Sequence, residues 1–227
     1  MTGMLASVNS VDEARLVLAE NVAIIDLKEP ALGSLGGLDI KLVKEIVNII
    51  GHQCPVSATI GDLPMQSGLI FNAVKEMAET GVNYIKIGFS PDENQQEVIE
   101  KLTQLTSTIN LIAVLFADTN PDFGLIDRLV EAGLKGIMLD TQDKTKGSLT
   151  GIMARSEIGR FVAHVKTKQV LCGLAGSLKL EDIALLMPYQ PDYLGFRGAL
   201  CDQNDRVGHL NLRRVQAIKQ NISEYSS

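Results

Sequence analysis

Four charged residues stand where charge is expensive. Lys28 closes the apolar run Ile24-Ile25-Asp26-Leu27-Lys28, Lys86 lies inside Tyr84-Ile85-Lys86-Ile87-Gly88-Phe89, and Asp140 ends Gly136-Ile137-Met138-Leu139-Asp140. Lysine is almost never fully buried without a partner, so a lysine in an apolar strand needs a reason. Side chains alternate along a strand, which puts Asp26 and Lys28 on one face. An amine that is desolvated or faces another cation falls from ~10.4 toward neutrality. It can then attack an aldehyde or ketone and form a Schiff base. Lys28 and Lys86, each lowering the other's proton affinity, are the sharpest pair, with Asp26 and Asp140 as general acid and base or as their holders. The alternative is a structural ion network, because such networks also perturb lysines.

A second group of residues suits an anion. Ala175-Gly176-Ser177-Leu178 and Gly195-Phe196-Arg197-Gly198-Ala199 are glycine-containing segments following apolar runs. Glycines let backbone N–H groups approach phosphate oxygens, and Arg197 would add a bidentate charge. Gly33-Ser34-Leu35-Gly36-Gly37 could cradle a second phosphate. Ser57 and Thr59 add hydroxyls to the same inventory. Asp62 and Asp118 read as turn or cap residues. Lys144 and Lys146 share a polar loop, and spacing alone does not choose between them. His52, His164 and His209 are scattered, and no metal-ligand spacing joins them to cysteines or acids, so no metal and no cofactor is expected.

These residues need elements to hold them. Short apolar stretches near residues 5–8, 22–27, 56–62, 84–89, 110–117, 136–141, 169–174 and 192–196 read as strands. They are apolar on both sides, as strands of a covered parallel sheet are. Between them lie helical patterns. Ser10 to Glu13 reads as a capping box. Asp39 opens a helix with Leu42, Val43, Ile46 and Ile50 on one face. Ser90-Pro91 supplies a cap and a first-turn proline, and Gly81 a left-handed stop. Further helices are expected from about 68, 121, 156, 179 and 211. Eight β/α units in 227 residues, without a linker, predict an α/β fold: a single (β/α)8 TIM barrel over 1–227. In that fold the active site sits at the C-terminal ends of the strands, where the lysines, Asp26, Asp140, Ser57, Thr59 and Arg197 fall, and phosphate commonly lies after strands seven and eight.

Composition narrows the partners. Net charge is −6 with no basic stripe, which argues against nucleic acid. No apolar run approaches the ~18–20 residues of a membrane span. The N-terminus lacks a signal-peptide pattern. Three widely spaced cysteines, Cys54, Cys172 and Cys201, suit a reducing, cytoplasmic setting. A homo-oligomer is the expected assembly.

Taken in order, Asp26-x-Lys28-x-Pro30 with Gly33-Ser34-Leu35-Gly36, Ser57-Ala58-Thr59-Ile60-Gly61-Asp62, Tyr84-Ile85-Lys86-Ile87-Gly88, Met138-Leu139-Asp140-Thr141, Leu174-Ala175-Gly176-Ser177-Leu178 and Arg197-Gly198-Ala199 resemble the (5-formylfuran-3-yl)methyl phosphate synthases. The blocks run over nearly the whole chain. The resemblance implies a carbon–oxygen lyase of methanofuran-type cofactor biosynthesis, condensing two glyceraldehyde 3-phosphates with release of phosphate and water. It implies Lys28 as the Schiff-base lysine and Asp26, Lys86, Asp140 and Lys144 as further catalytic positions, Lys144 keeping the family's spacing from Asp140. Glu29 replaces an asparagine of archaeal members. An enamine from the Lys28 iminium would attack the second aldehyde. A Schiff-base aldolase on sugar phosphates and an idle phosphometabolite-binding barrel are the rival readings.

Overall fold

Eight parallel strands close on themselves in chain order in the computed structural model, which describes residues 1–225. They are β1 (Gly3–Val8), β2 (Ile24–Leu27), β3 (Val56–Thr59), β4 (Tyr84–Phe89), β5 (Leu111–Phe116), β6 (Gly136–Asp140), β7 (Leu171–Leu174) and β8 (Tyr193–Phe196), with β8 pairing back to β1. The helices are α1 (Val11–Ala19), α2 (Ile40–Ile50), α3 (Ser67–Ala78), α4 (Gln95–Leu102), α5 (Leu125–Glu131), α6 (Leu149–Ile152), α7 (Arg155–Thr167), α8 (Leu180–Leu186) and α9 (Leu212–Glu224). The chain is the (β/α)8 TIM barrel that its alternation predicts, with one additional turn of helix, α6, in the loop after β6.

The larger core lies between strands and helices. On α2 the helical spacing buries Val43, Ile46 and Ile50, each worth about 1.5–3 kcal/mol when fully removed from water. Asp39 starts this helix by accepting from the N–H groups of Lys41 and Leu42. The smaller core fills the barrel interior with Leu5, Ile24, Ile112, Val114, Phe116 and Met138. Gly173 makes that filling possible, since a Cβ there would stand 2.6 Å from the Met138 side chain. Apolar side chains thus plug the barrel below, and the charged residues form a layer at the C-terminal mouth.

Several local expectations shift. Ser10 does cap α1, but Glu13 accepts from Asn9 N–H and from Arg197 rather than completing a box with Ser10. Ser90-Pro91 heads a turn instead of α4, because Asp92 binds Asn94 N–H and the helix begins at Gln95. Gly81 takes its left-handed conformation after α3, at φ +83°. Among the described residues no helix is long and apolar enough to cross a membrane.

Candidate active site

Strand register brings one belt of side chains together. Ser7 on β1, Asp26 on β2 and Ser57 on β3 are direct neighbours. Both hydroxyls donate to the Asp26 carboxylate, Ser7 at 2.8 Å and Ser57 at 2.7 Å. Lys86 Nζ lies 2.6 Å from Asp26 Oδ1. Asp26 is fully buried, and burial opposes its ionisation. Lys86 and Lys28 outweigh that and hold its carboxyl below the ordinary value.

Across the mouth, Asp140 ends β6 and pairs with Lys144, which also donates to the carbonyl of Thr141. Asp140 accepts from Thr141 N–H at 2.7 Å. Burial again opposes the charge, and Lys144 and Lys28 again win, so its carboxyl is lowered too. Lys146, the other lysine of that loop, points outward, 3.7 Å from Asp118 and mostly exposed. Asp118 itself caps the loop by accepting from Gln142 and Asp143 N–H groups.

Lys28 stands between the two pairs. It is buried to 7 % exposure, yet among the described residues no carboxylate lies within ion-pair distance of its Nζ. Its pKa drops from 10.5 to about 8. Burial is the first cause. Asp140 and Asp26 pull the value up, while Lys144 and, least of all, Lys86 push it down. The sequence singled out Lys86 as the depressing cation; desolvation does more, and Lys144 ranks ahead of Lys86.

These groups line a cavity of about 220 Å³, below the ~300–1,000 Å³ typical of sites for drug-sized ligands and suited to small metabolites. Its far wall is the loop after β7 and the start of the loop after β8, from Gly176 to Lys179 and from Arg197 to Ala199. Gly176 has φ +105°, and a Cβ there would stand 2.8 Å from the Thr141 methyl, so only glycine fits. Among the described residues the N–H groups of Gly176, Ser177 and Leu178 find no acceptor within the chain, nor do those of Gly198 and Ala199. Five N–H groups without an acceptor thus belong to residues lining one wall, a composition suited to an anion nest.

The remaining anion-site expectations change. Arg197 does not reach out to a ligand. Its guanidinium is buried against Glu13, and it donates besides to the carbonyls of Ser7, Arg206 and Gly208. With Nη1 and Nη2 both also bound to Glu13, all five of its N–H groups are spent. Gly33-Ser34 cradles no phosphate because a carboxylate of the chain already occupies that turn. Asp62 accepts from Ser34 Oγ at 3.1 Å and from Leu35 N–H at 3.1–3.2 Å. Thr59, fully buried, donates to Gly36 carbonyl, and Ser57 serves Asp26, so neither is free for a phosphate. Glu29 accepts from Ala31 N–H and begins the turn after β2. Sequence reading missed Ser7, Glu13 and Arg206. Ser7 had a usable signal, its place near the C-terminal end of an inward-facing strand; Arg206 sits in a polar loop without one.

Comparison with known proteins identifies a family for the whole chain. The 4-HFC-P synthase family model matches residues 4–219. A Methylorubrum extorquens relative is 38 % identical over 217 residues, covering 95 % of this chain and 90 % of its own. The (5-formylfuran-3-yl)methyl phosphate synthase of Methanococcus aeolicus is 32 % identical over 216 residues, 89 % of this chain and 92 % of that one. Its counterpart in Methanocaldococcus jannaschii is 30 % identical over 231 residues, 96 % and 98 % of the two chains. Among solved structures, phosphoribosyl anthranilate isomerase from Thermus thermophilus superposes with a TM-score of 0.71 over 99 % of each chain at 12 % identity. A 3-hexulose-6-phosphate synthase gives 0.69 over 97 % of this chain and 100 % of that one at 15 % identity. Likeness at such low identity speaks for the barrel alone.

Proposed function

The chain belongs to the (5-formylfuran-3-yl)methyl phosphate synthase family, and from that premise we propose that it condenses two molecules of glyceraldehyde 3-phosphate through a Schiff base on Lys28. The observation that carries the reading is the unpaired, buried Lys28 amine held between two lysine–aspartate pairs and facing a nest of N–H groups. With a pKa of about 8, roughly one-tenth of the amine is neutral at pH 7. An ordinary lysine would have on the order of one part in three thousand. The environment therefore raises the reactive fraction some ~300-fold.

Carbon counting fixes the order of bonds. Two trioses of this kind yield the furan aldehyde phosphate, one phosphate and two waters. In the product the formyl carbon, the ring carbon bearing it and the next ring carbon come from one triose, and the phosphate-bearing arm carbon with the two remaining ring carbons comes from the other. The new carbon–carbon bond therefore joins the terminal carbon of the first triose, which loses its phosphate, to the middle carbon of the second. An enamine attacking the second aldehyde would give a different skeleton, and that expectation is withdrawn.

Lys28 Nζ adds to the aldehyde of the first triose and expels water, leaving an iminium. The iminium acidifies C2–H, and once that proton is taken the electron pair expels phosphate from C3. The resulting enol imine is nucleophilic at C3. The second triose reacts at C2, so it enters as its keto isomer, made by taking a proton from C2 and returning one at C1. After the bond forms, its C1 hydroxyl closes on C2 of the first triose. Two dehydrations complete the ring, and the water consumed in hydrolysing the imine balances the one released in forming it. The Lys86–Asp26 and Lys144–Asp140 pairs flank Lys28, and each offers an ammonium that lends a proton and a carboxylate that takes one. The Gly176–Leu178 and Gly198–Ala199 N–H groups would hold a phosphate.

The test is incubation of the purified protein with glyceraldehyde 3-phosphate, reading near-ultraviolet absorption of the furan aldehyde together with phosphate release. Borohydride added during turnover should leave a reduced adduct on Lys28, located by peptide mass analysis. A product without that absorption would make this a Schiff-base aldolase. An adduct on another lysine, or full turnover by Lys28→Arg, would reject the role given to Lys28.

A further inference from the structure

Both trioses of the proposed condensation carry a phosphate, whereas the loops after β7 and β8 build one nest. The remaining wall of the cavity contains an arginine that the mechanism leaves unused. Arg206 lies in the loop between β8 and α9 and lines the same cavity as Lys28, half-buried. Its Nη2 donates to the carbonyl of Gly33 at 2.8 Å. Among the described residues this is the one hydrogen bond of its side chain, and no carboxylate comes within ion-pair distance. Four of its five N–H groups therefore remain unspent.

The position of Arg206 is fixed from behind. Arg197 Nε holds its carbonyl at 2.8 Å, and Arg197 is in turn locked to Glu13 and to the carbonyls of Ser7 and Gly208. Asp205 makes the turn that follows, accepting from Val207 N–H through its side chain and from Gly208 N–H through its carbonyl. The base of the Arg206 side chain packs beside Gly198, with its Cβ 3.7 Å from where a Cβ on Gly198 would lie. Its head reaches Gly33 on the β2 side. The side chain thus bridges the loop after β8 to the loop after β2, on either side of β1. Burial lowers its pKa, and the largest influence pulling it back up is Asp140, which lines the same cavity.

We propose that Arg206 forms a second phosphate subsite, separate from the backbone nest, and that the two together hold two phosphorylated trioses over Lys28. A planar fork with unspent N–H groups suits a phosphate dianion, which accepts from two of them at once. The inference rests on the condensation reading only for the identity of the ligand; the subsite itself is a matter of anion binding.

The experiment counts anions first. Calorimetric titration with inorganic phosphate should give two equivalents per wild-type chain and one for Arg206→Ala. Arg206→Lys, which keeps the charge without the fork, should retain the second equivalent with weaker affinity. Thermal melting of both variants identifies any loss that comes from unfolding, and Arg206→Lys then carries the comparison. With glyceraldehyde 3-phosphate, Arg206→Ala should raise KM by about ten- to a hundred-fold, with a smaller change in kcat. Two equivalents bound by folded Arg206→Ala, or one by the wild type, would overturn the second subsite. If wild-type protein makes no furan from glyceraldehyde 3-phosphate but still binds two phosphates, the condensation reading fails and the subsite stands.

Discussion

Replacing Lys28 with methionine should abolish imine formation and, at neutral pH, make the folded protein more stable. The folded state holds this lysine at about 8 against an ordinary 10.5, with burial as the leading cause. Because the folded value is the lower one, the unfolded chain binds the proton more tightly, and stability rises with pH between the two values. Below pH 8 the full penalty applies. The gap between 10.5 and about 8, at about 1.4 kcal/mol for each tenfold, comes to about 3 kcal/mol at pH 7. Methionine keeps a long apolar stem and carries no proton, so Lys28→Met should recover that amount. Lys86 and Lys144 keep their own aspartates in the variant. At pH 10 the unfolded lysine is itself losing its proton, and the gain should shrink to about 1 kcal/mol. Urea unfolding of both proteins at pH 7 and pH 10 measures this directly from midpoints and slopes. A gain of the same size at both values, or a loss at pH 7, would mean that the Lys28 ammonium is not penalised by its surroundings.

Asp26→Asn should do the opposite. It leaves Lys86 buried without its anion and should cost about 3–5 kcal/mol at pH 7, read from urea midpoints. The Asp26 carboxyl is held below its ordinary 3.8, so its contribution is complete above that value and lost as pH falls through the lower folded one. The difference between wild type and variant should accordingly narrow only in strong acid. Glu13→Gln removes the charge that faces the buried Arg197 guanidinium and should lower stability by about 3–5 kcal/mol in thermal or chemical unfolding. An unchanged melting temperature would contradict the structural role given to Arg197.

The barrel was legible in the sequence because its signals are local. Each strand is a short apolar run, and Asp39, Gly81 and Asn211 mark helix ends through their own side chains or backbone freedom. The charged layer was legible too, since a lysine inside Ile24–Lys28 or Tyr84–Phe89 violates the apolar pattern around it. What escaped depends on which distant group arrives. The Gly33–Leu35 turn has the composition of an anion cradle, and only the approach of Asp62, 27 residues beyond Leu35, decides that its anion is internal. Arg197 sits next to a glycine in the expected phosphate loop, yet Glu13, far away in the chain on α1 and brought alongside by the β1–β8 pairing, closes on it. Arg206, half-buried in a loop with no periodic pattern, lines the cavity with the unspent N–H groups that Arg197 was expected to offer.

The proposal of Lys28 as nucleophile rests on partners more than on position. The charged layer holds three lysines against two aspartates, and the shortest contacts assign Lys86 to Asp26 and Lys144 to Asp140. Were the third lysine charged as well, the layer would carry an unbalanced cation in a poorly solvated site. That cost falls as a lowered proton affinity on the lysine without a partner, which is Lys28. Ser7 and Ser57 reinforce the assignment by spending their hydroxyls on Asp26, which keeps that carboxylate ionised and committed to Lys86. The same barrel with a third aspartate beside Lys28 would be a better-balanced structural network and a poorer amine, so the missing acid is as much a part of the site as the residues present.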